Sequence, residues 1–163
     1  MFTVRTARES DAEAIHALIG ELADYEKLRH QMTGGVDELR THLFGVQPFA
    51  RVLIAELDGV VVGFALYFHN YSTFLCRPGI YLEDLYVQPA YRRFGIGKRL
   101  LATLAARAVE LGCGRLEWSV LDWNAPSIEF YRKLGALPQD EWTMFRLTGD
   151  ALTALARDGT GSL

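Results

Sequence analysis

Two runs of β-branched and aromatic residues, joined by Asp58-Gly59, constrain the fold of this chain more than any other feature. Residues 51–57 and 60–68 have the composition of strands. An Asp-Gly pair between two such runs is the strongest hairpin signal available from sequence, because both residues tolerate the positive φ angles that a tight turn requires. We therefore predict an antiparallel strand pair near the middle of the chain.

The segments on either side of this hairpin complete the predicted order. Before it we predict a strand at residues 2–5, a helix that opens with a capping-box pattern of Ser10 and Glu13 and runs to about residue 25, and a weaker helix near residues 36–44. After it we predict a strand at residues 80–87, a helix at 95–111, a strand at 116–121, a helix capped by Asn124 and running to about 134, a last strand at 142–147 and a helical tail from about 148 to 157.

The strand, helix and strand between residues 80 and 121 form a β-α-β unit, for which a right-handed parallel crossover is expected. A hairpin half followed by a crossover half predicts an α/β (α+β) domain with a mixed central sheet and the order β-α-α-β-β-β-α-β-α-β. The first half lacks regular β-α alternation, which excludes a doubly wound nucleotide-binding fold. A chain of 163 residues fits a single domain over residues 1–163, with a core at about 2–147 and a short tail at 148–163.

Composition narrows the class of protein. Half of the residues are apolar and 23% are charged, which is typical of a folded globular domain. The longest apolar stretches are too short for a membrane helix and no signal-peptide pattern opens the chain, so we expect a cytoplasmic protein without membrane association. The two cysteines, Cys76 and Cys113, are too few for a disulfide framework or a zinc site, and we expect both to be buried thiols without a metal.

The distribution of charge is more informative than the net charge of −3. Residues 88–115 carry a net charge of +5, so that the rest of the chain carries −8. A basic element in an acidic body can bind an anion at that element and a cation elsewhere. Nucleic-acid binding is disfavoured, because the basic window is short and the whole chain is acidic.

A glycine pair after the strand at residues 80–87 marks the basic element as a candidate anion site. The loop carries Arg92 and Arg93, and Gly95 and Gly97 open the next helix. The free N–H groups at a helix N-terminus, approached closely through glycine, suit a pyrophosphate. Leu100 replaces the third glycine of a dinucleotide fingerprint, and no Gly-x4-Gly-Lys-[Ser/Thr] motif occurs in the chain.

These residues resemble a known family. The pattern Arg92-x-x-Gly95-x-Gly97 is similar to the acetyl-CoA motif of the GNAT N-acetyltransferases. Blocks at residues 21–26, 63–68, 81–84 and 122–131 resemble the spermidine/spermine (diamine) N-acetyltransferase subfamily and its thialysine-acetylating relatives. The resemblance implies a GNAT-like fold, acetyl-CoA as cosubstrate, no metal, a small-molecule amine as acceptor and a homodimer.

The resemblance also implies the cofactor-binding residues. In the family, backbone amides corresponding to residues 93–98 hold the pyrophosphate, and the pantetheine arm lies along the strand that contains residues 85–87, like an added strand. The full set that it implies is Leu85, Tyr86, Val87, Arg92, Arg93, Phe94, Gly95, Ile96, Gly97, Lys98, Asn124, Ser127 and Tyr131.

In such enzymes the amine attacks the thioester directly, and the resemblance assigns Tyr131 as the general acid for the leaving thiolate. Tyr131 lies seven residues after Asn124, so both project from one helix face. The alternative, that Tyr131 only packs in an amphipathic helix, stays open.

Acidic residues supply the acceptor side of the implied site. An alkylammonium ordinarily has a pKa of about 10.4, so it must lose a proton before attack, and a carboxylate or an ordered water can accept it. The resemblance implies acidic residues at Glu26 and Glu83, with Asp84 adjacent, and an aromatic residue at Phe74 beside the substrate. We therefore assign Glu83 as base or water-positioner and Glu26 as ligand of a distal ammonium, with Asp84 and Phe74 also contacting substrate. Glu83 and Asp84 are consecutive, so they reach one cleft only if a β-bulge redirects one of them. For Glu26 the alternative is a solvated helix end.

The main functional hypothesis is acetyl-CoA-dependent N-acetylation of a small aliphatic primary amine, namely a polyamine, a diamine or a lysine-like amino acid such as thialysine. One alternative is acetylation of a protein N-terminus or lysine. Another is a catalytically silent acyl-CoA sensor, against which the retention of Tyr131 and Glu83 counts. The physiological acceptor stays open.

Overall fold

The structure is a computed structural model that describes residues 1–159, so the end of the predicted tail, residues 160–163, lies outside the described residues. Two compact units follow each other along the chain, Met1–Leu121 and Asp122–Leu163. Among the described residues, no helix has both the length and the apolar character needed to cross a membrane.

A five-stranded sheet forms the first unit, with its strands in sequence order. The strands are β1 (Phe2–Thr6), β2 (Arg51–Leu57), β3 (Val60–Ser72), β4 (Arg77–Val87) and β5 (Leu116–Trp118). The first four pair antiparallel and β5 pairs parallel to β4. Asp58 and Gly59 join β2 to β3 with φ angles of 49° and 82°, as a type I′ turn requires. The predicted fold class, with a mixed sheet, is confirmed.

Three helices cover this sheet: α1 (Ala12–Tyr25), α2 (Val36–Phe44) and α3 (Ile96–Glu110). The main apolar cluster joins Ile15, Leu18 and Leu22 of α1 to α2, β2, β3 and β4, and it includes Phe64. Tyr67, three residues further along β3, instead contacts Arg107 of α3. Because side chains alternate along a strand, α1 and α3 lie on opposite faces of the sheet.

The start of α1 differs from the prediction. A 3₁₀ turn at Glu9–Asp11 precedes the helix, so that the N-cap of α1 is Asp11 and not Ser10. A carboxylate oxygen of Asp11 accepts the backbone N–H of Arg8 at 2.7 Å. Glu13 pairs with Arg40 of α2. The Ser10–Glu13 capping box is therefore wrong, because Asp11 also meets an arginine from β1 and a tertiary partner outweighs the local pattern.

Strand lengths also depart from the prediction. β3 and β4 extend through residues expected to form a loop, and only residues 73–76 turn between them. β5 has three residues instead of six. Both differences arise because the length of a strand depends on the hydrogen bonds that a neighbouring strand provides. β3 and β4 pair with each other through the added residues, whereas β5 pairs only with β4, at the edge of the sheet.

The second unit contains α4 (Ala125–Lys133) and α5 (Gly149–Gly159), as predicted. The last predicted strand, residues 142–147, is wrong: this segment has no regular secondary structure. Its large apolar side chains are exposed, with Phe145 91% exposed. Apolar composition favours a strand only where a neighbouring strand takes up the backbone hydrogen bonds, and no strand pairing among residues 1–159 includes this segment.

Candidate active site

The edge of β4 opens beside β5. The two strands pair only from Ile80 to Leu82, after which β4 continues to Val87 without a partner on that side among the described strands. The N–H of Gln88 donates to the carbonyl of Val62 at 3.0 Å. Because antiparallel pairs alternate, the backbone groups of residues 85 and 87 point away from β3. This edge can therefore pair with an extended ligand, as predicted for a pantetheine arm.

An open anion cradle follows at the start of α3. Gly95 is the N-cap with a φ angle of 79°, and Arg93 has a φ angle of 73°. A Cβ atom placed on Gly95 would meet no atom within 4 Å, and one on Gly97 would meet only a methyl group at 4.0 Å. The first N–H groups of the helix have no intrahelical partners. The loop fits the pyrophosphate that the family motif implies.

Basic side chains surround this cradle. Arg93, Lys98 and Arg99 are exposed, and none of them forms an ion pair within residues 1–159. They can therefore balance the charge of a bound anion. The Phe94 side chain is exposed and that of Ile96 is buried in the core, so Ile96 can contribute to such a site only through its backbone.

Arg92 differs from its basic neighbours because its side chain is turned toward the protein. Its Nε donates to the carbonyl of Val87 at 2.8 Å. Its guanidinium lies over the ring of Tyr25, 4.8 Å from the centroid, and 5.4 Å from the centroid of Tyr86. Arg92 thus holds the loop against the sheet and against the end of α1.

A β-bulge places two carboxylates on one face of the sheet. Asp84 pairs with Leu66 and Leu82 pairs with Tyr67, which leaves Glu83 as the extra residue. Leu66 packs against the cluster under α1, so its partner Asp84 shares that face. Leu82, paired with Tyr67, faces the opposite side of the sheet, and side chains alternate along a strand, so the next residue, Glu83, faces the same side as Asp84. The bulge on which the prediction depended is present.

The end of α1 brings Glu26 to the same place. Glu26, Glu83 and Asp84 form what we term the acidic cluster, and none of the three is in an ion pair within residues 1–159. Burial, together with the negative charges of Glu83 and Glu26, raises the pKa of Asp84 from 3.8 to about 7. Burial also raises the pKa of Glu26. The cluster can accept a proton or bind an ammonium group.

Phe74 is not brought to the acidic cluster. It lies in the turn between β3 and β4 and is 97% exposed. β4 starts at Arg77, so the turn stands about 20 Å along the strand from Asp84 at about 3.3 Å per residue. Within one chain, Phe74 does not contact the carboxylates with which it was grouped.

The remaining predicted site residues belong to the second unit, on α4. The side-chain oxygen of Asn124 accepts the N–H of Ser127 at 3.4 Å, which confirms the predicted helix cap. Asn124 is buried and Tyr131 is half-buried, with its ring 5.4 Å from that of Phe130. Their catalytic and cofactor-binding roles stay predictions.

The histidines and cysteines do not form a site in the described residues. His16 and His69 each contact a backbone carbonyl oxygen, at 3.1 Å and 3.0 Å. No group of metal-ligating side chains is found within residues 1–159. Cys76 is exposed in the turn after β3 and Cys113 is half-buried, so the expectation of two buried thiols is wrong. A tight turn with positive φ at Cys76 faces solvent whatever its composition.

Two residues of α1, which the sequence analysis did not identify, contact the segment from the end of β4 to Arg92. Glu21 accepts hydrogen bonds from the Tyr86 hydroxyl at 3.2 Å and from the Gln88 amide at 2.9 Å, and Tyr25 lies against Arg92. Glu21 and Tyr25 are four residues apart and so share one helix face. The four-residue spacing of Glu21 and Tyr25, directly before Glu26, is the feature of the sequence from which both contacts could have been predicted.

Comparison with known proteins agrees with this geometry. The family model described as "Acetyltransferase (GNAT) family" matches residues 17–136. The chain belongs to the GNAT acetyltransferase family. This GNAT chain is 42% identical to the thialysine N-epsilon-acetyltransferase of Mus musculus, over 94% of this chain and 96% of that protein. It is 35% identical to the L-ornithine N5-acetyltransferase of Arabidopsis thaliana, over 93% of this chain and 86% of that protein.

Solved structures confirm the fold. An integron cassette protein from V. cholerae superimposes with a TM-score of 0.81 at 25% identity, over 96% of this chain and 98% of that one. The predicted resemblance is therefore confirmed, and the chain is a GNAT-type N-acetyltransferase. Enzymes of the GNAT family use acetyl-CoA as cosubstrate.

Proposed function

We propose that this GNAT enzyme acetylates the primary amine of a small aliphatic molecule that carries a second positive charge: a diamine, a polyamine or a lysine-like amino acid. The acidic cluster carries the proposal, because three carboxylates meet at the β4 bulge without a cationic partner among the described residues. A dication would supply the missing charge. The relatives named for thialysine and ornithine N5 acetylation support the same acceptor class.

Within the first unit, separate groups of residues bind the acyl donor, acetyl-CoA, and the acceptor amine. Acetyl-CoA supplies the thioester carbonyl that the amine attacks. The backbone of residues 93–98 binds the pyrophosphate. The outward-facing backbone of residue 85 and the N–H of residue 87, whose carbonyl accepts from Arg92, pair with the pantetheine arm, with Tyr86 between them. No covalent enzyme nucleophile is needed.

Two proton transfers complete the reaction. Glu83, directly or through a water, takes a proton from the ammonium, and Asp84 lies beside it with a pKa of about 7, close to working pH. Tyr131 gives a proton to the departing thiolate. Asn124 and Ser127 of the same helix contribute to cofactor binding.

We further propose that the chain works as a single catalytic domain, as its length predicts, and that it acts in the cytoplasm, as the sequence pattern predicts. The homodimer that we propose is implied by the family resemblance.

A thioester-release assay over matched amines tests the proposal. The panel comprises 1,5-diaminopentane, pentylamine of equal chain length, lysine, ornithine and a short peptide with a free N-terminus. We expect a KM for 1,5-diaminopentane several-fold below that for pentylamine, since a distal ammonium gains from the acidic cluster. Equal KM values, or a clear preference for the peptide, would overturn the small-dication proposal.

A further inference from the structure

The side chain of Arg92 lies between the two halves of the proposed site. Its Nε hydrogen bond ends on Val87, the last residue of the strand proposed for the pantetheine arm. Its guanidinium lies over Tyr25, which immediately precedes Glu26 of the acidic cluster. One cation therefore touches the segment that would bind the acyl donor and the helix end that would bind the acceptor.

Two further hydrogen bonds join the same helix to the end of β4. Glu21, one turn before Tyr25, accepts from the hydroxyl of Tyr86 and from the side-chain amide of Gln88. Tyr86 is buried and also faces the Arg92 guanidinium. The last turn of α1 is thus held to the cofactor strand at two points, Glu21 and Tyr25, and Arg92 makes the second.

The orientation of Arg92 distinguishes it from an anion ligand. Its Nε is used by a backbone carbonyl, and its planar face lies against aromatic rings, which is a favourable cation–π arrangement. The exposed side chains of Arg93, Lys98 and Arg99 remain to balance the charge of an anion. In this chain, the arginine of the family motif therefore contacts groups of the protein itself, namely the Val87 carbonyl and the Tyr25 ring.

We propose that Arg92 is a positioning residue that couples acetyl-CoA binding to recognition of the acceptor's distal ammonium. The inference rests on the proposed function, because it takes Glu26 as the ammonium ligand. A loop ordered by cofactor fixes Arg92, Arg92 fixes Tyr25, and the position of Glu26 follows. Binding of acetyl-CoA therefore lowers the entropic cost of ordering the residues that bind the amine, and binding of the amine does the same for acetyl-CoA. The coupling free energy is equal in both directions.

The substitution Arg92→Met tests this coupling, because it removes the charge and the donor and keeps an unbranched chain. Arg107→Met is the matched control. Arg107 lies over the ring of Tyr67, 5.6 Å from its centroid, and donates to its hydroxyl on the opposite face of the sheet. The readouts are the KM ratio of pentylamine to 1,5-diaminopentane, and the Kd of CoA by calorimetry with and without 1,5-diaminopentane.

In the wild-type enzyme we expect a KM ratio of several-fold and a tighter Kd for CoA when the diamine is present. Arg92→Met should bring the ratio to near one, weaken CoA about threefold or more and abolish the effect of the diamine on CoA. Arg107→Met should retain the wild-type ratio and coupling. A non-specific loss of stability would affect both variants alike.

Other outcomes overturn the inference. Weaker CoA binding with an intact amine ratio would make Arg92 a phosphate ligand, and no change in either readout would make it a packing residue. A ratio near one in the wild-type enzyme would refute the proposed function itself. If Arg92→Met does not fold, Tyr25→Leu removes the contact from the helix side and leaves the Val87 hydrogen bond in place; retention of the amine ratio in that variant would equally refute the coupling.

Discussion

Two aspartates of this protein lie in opposite electrostatic settings. Asp11, 7% exposed, receives two hydrogen bonds from the guanidinium of Arg5, at 2.7 Å and 2.9 Å, and one from the N–H of Arg8. Asp84, half-buried on β4, has the carboxylates Glu83 and Glu26 as its charged neighbours. The hydrogen bonds from Arg5 lower the pKa of Asp11, whereas burial and like charge raise that of Asp84 to about 7.

The difference separates a structural carboxylate, Asp11, from Asp84, the carboxylate for which we propose a role in acceptor binding. Arg5 also binds Glu56 of β2, at 2.8 Å, so the Asp11 network joins β1, β2 and the start of α1. This network is complete within the protein and favours the folded state. The acidic cluster is incomplete within the described chain and disfavours the folded state until a cation or proton arrives, which is typical of an active site.

The largest effect that we expect is a gain of stability from Asp84→Asn. A pKa raised in the folded state means that stability is fully present below the unfolded pKa of about 4 and is lost as pH rises toward 7. The variant has no ionisable group at position 84, so its stability does not fall in this pH range. At pH 8 its free energy of unfolding should therefore exceed that of the wild type by on the order of 4 kcal/mol, and at pH 4 the two values should be nearly equal. Urea unfolding at both pH values measures it.

The same variant should lose activity, because it removes a carboxyl group that we propose faces the acceptor. We expect a fall in kcat/KM for a diamine of about tenfold or more. A variant that is no more stable at pH 8, or one that keeps full activity, would show that Asp84 is partnered or is outside the active site.

The matched substitution Asp11→Asn should act in the opposite direction. It breaks a largely buried ion pair and leaves Arg5 partly unpaired, so we expect a loss of about 3 kcal/mol at pH 7. Because the pKa of Asp11 is lowered, this difference should shrink as pH falls below about 4, through the folded pKa. Activity per folded molecule should be retained. A catalytic defect in a fully folded Asp11→Asn enzyme would contradict the separation of the two aspartates.

The smallest effect concerns Glu26, at the edge of the acidic cluster. Glu26→Gln should raise the KM for 1,5-diaminopentane by several-fold and leave that for pentylamine almost unchanged, since partly exposed ion pairs contribute about 0.2 to 1 kcal/mol. Steady-state kinetics with both amines at one pH decide this. Equal changes for the two amines would remove Glu26 from the distal site.

Much of the fold could be predicted because its signals are local. The hairpin at Asp58-Gly59, the bounds of α2 and the Asn124 cap of α4 each depend on a few neighbouring residues. The cradle at Gly95 was equally accessible, since a helix N-terminus that follows glycine suits an anion in any fold. Local conformational preference was sufficient at these positions.

The sequence by itself determined the helices, the central hairpin, the loop at Gly95 and the family to which the chain belongs. Tertiary structure decided the short pairing of β5, the bulge at Glu83, the inward direction of Arg92 and the absence of a strand at residues 142–147. Each of these depends on a partner distant in sequence. A strand forms only where a neighbour accepts its hydrogen bonds, and a charge takes its pKa from the groups that folding brings beside it.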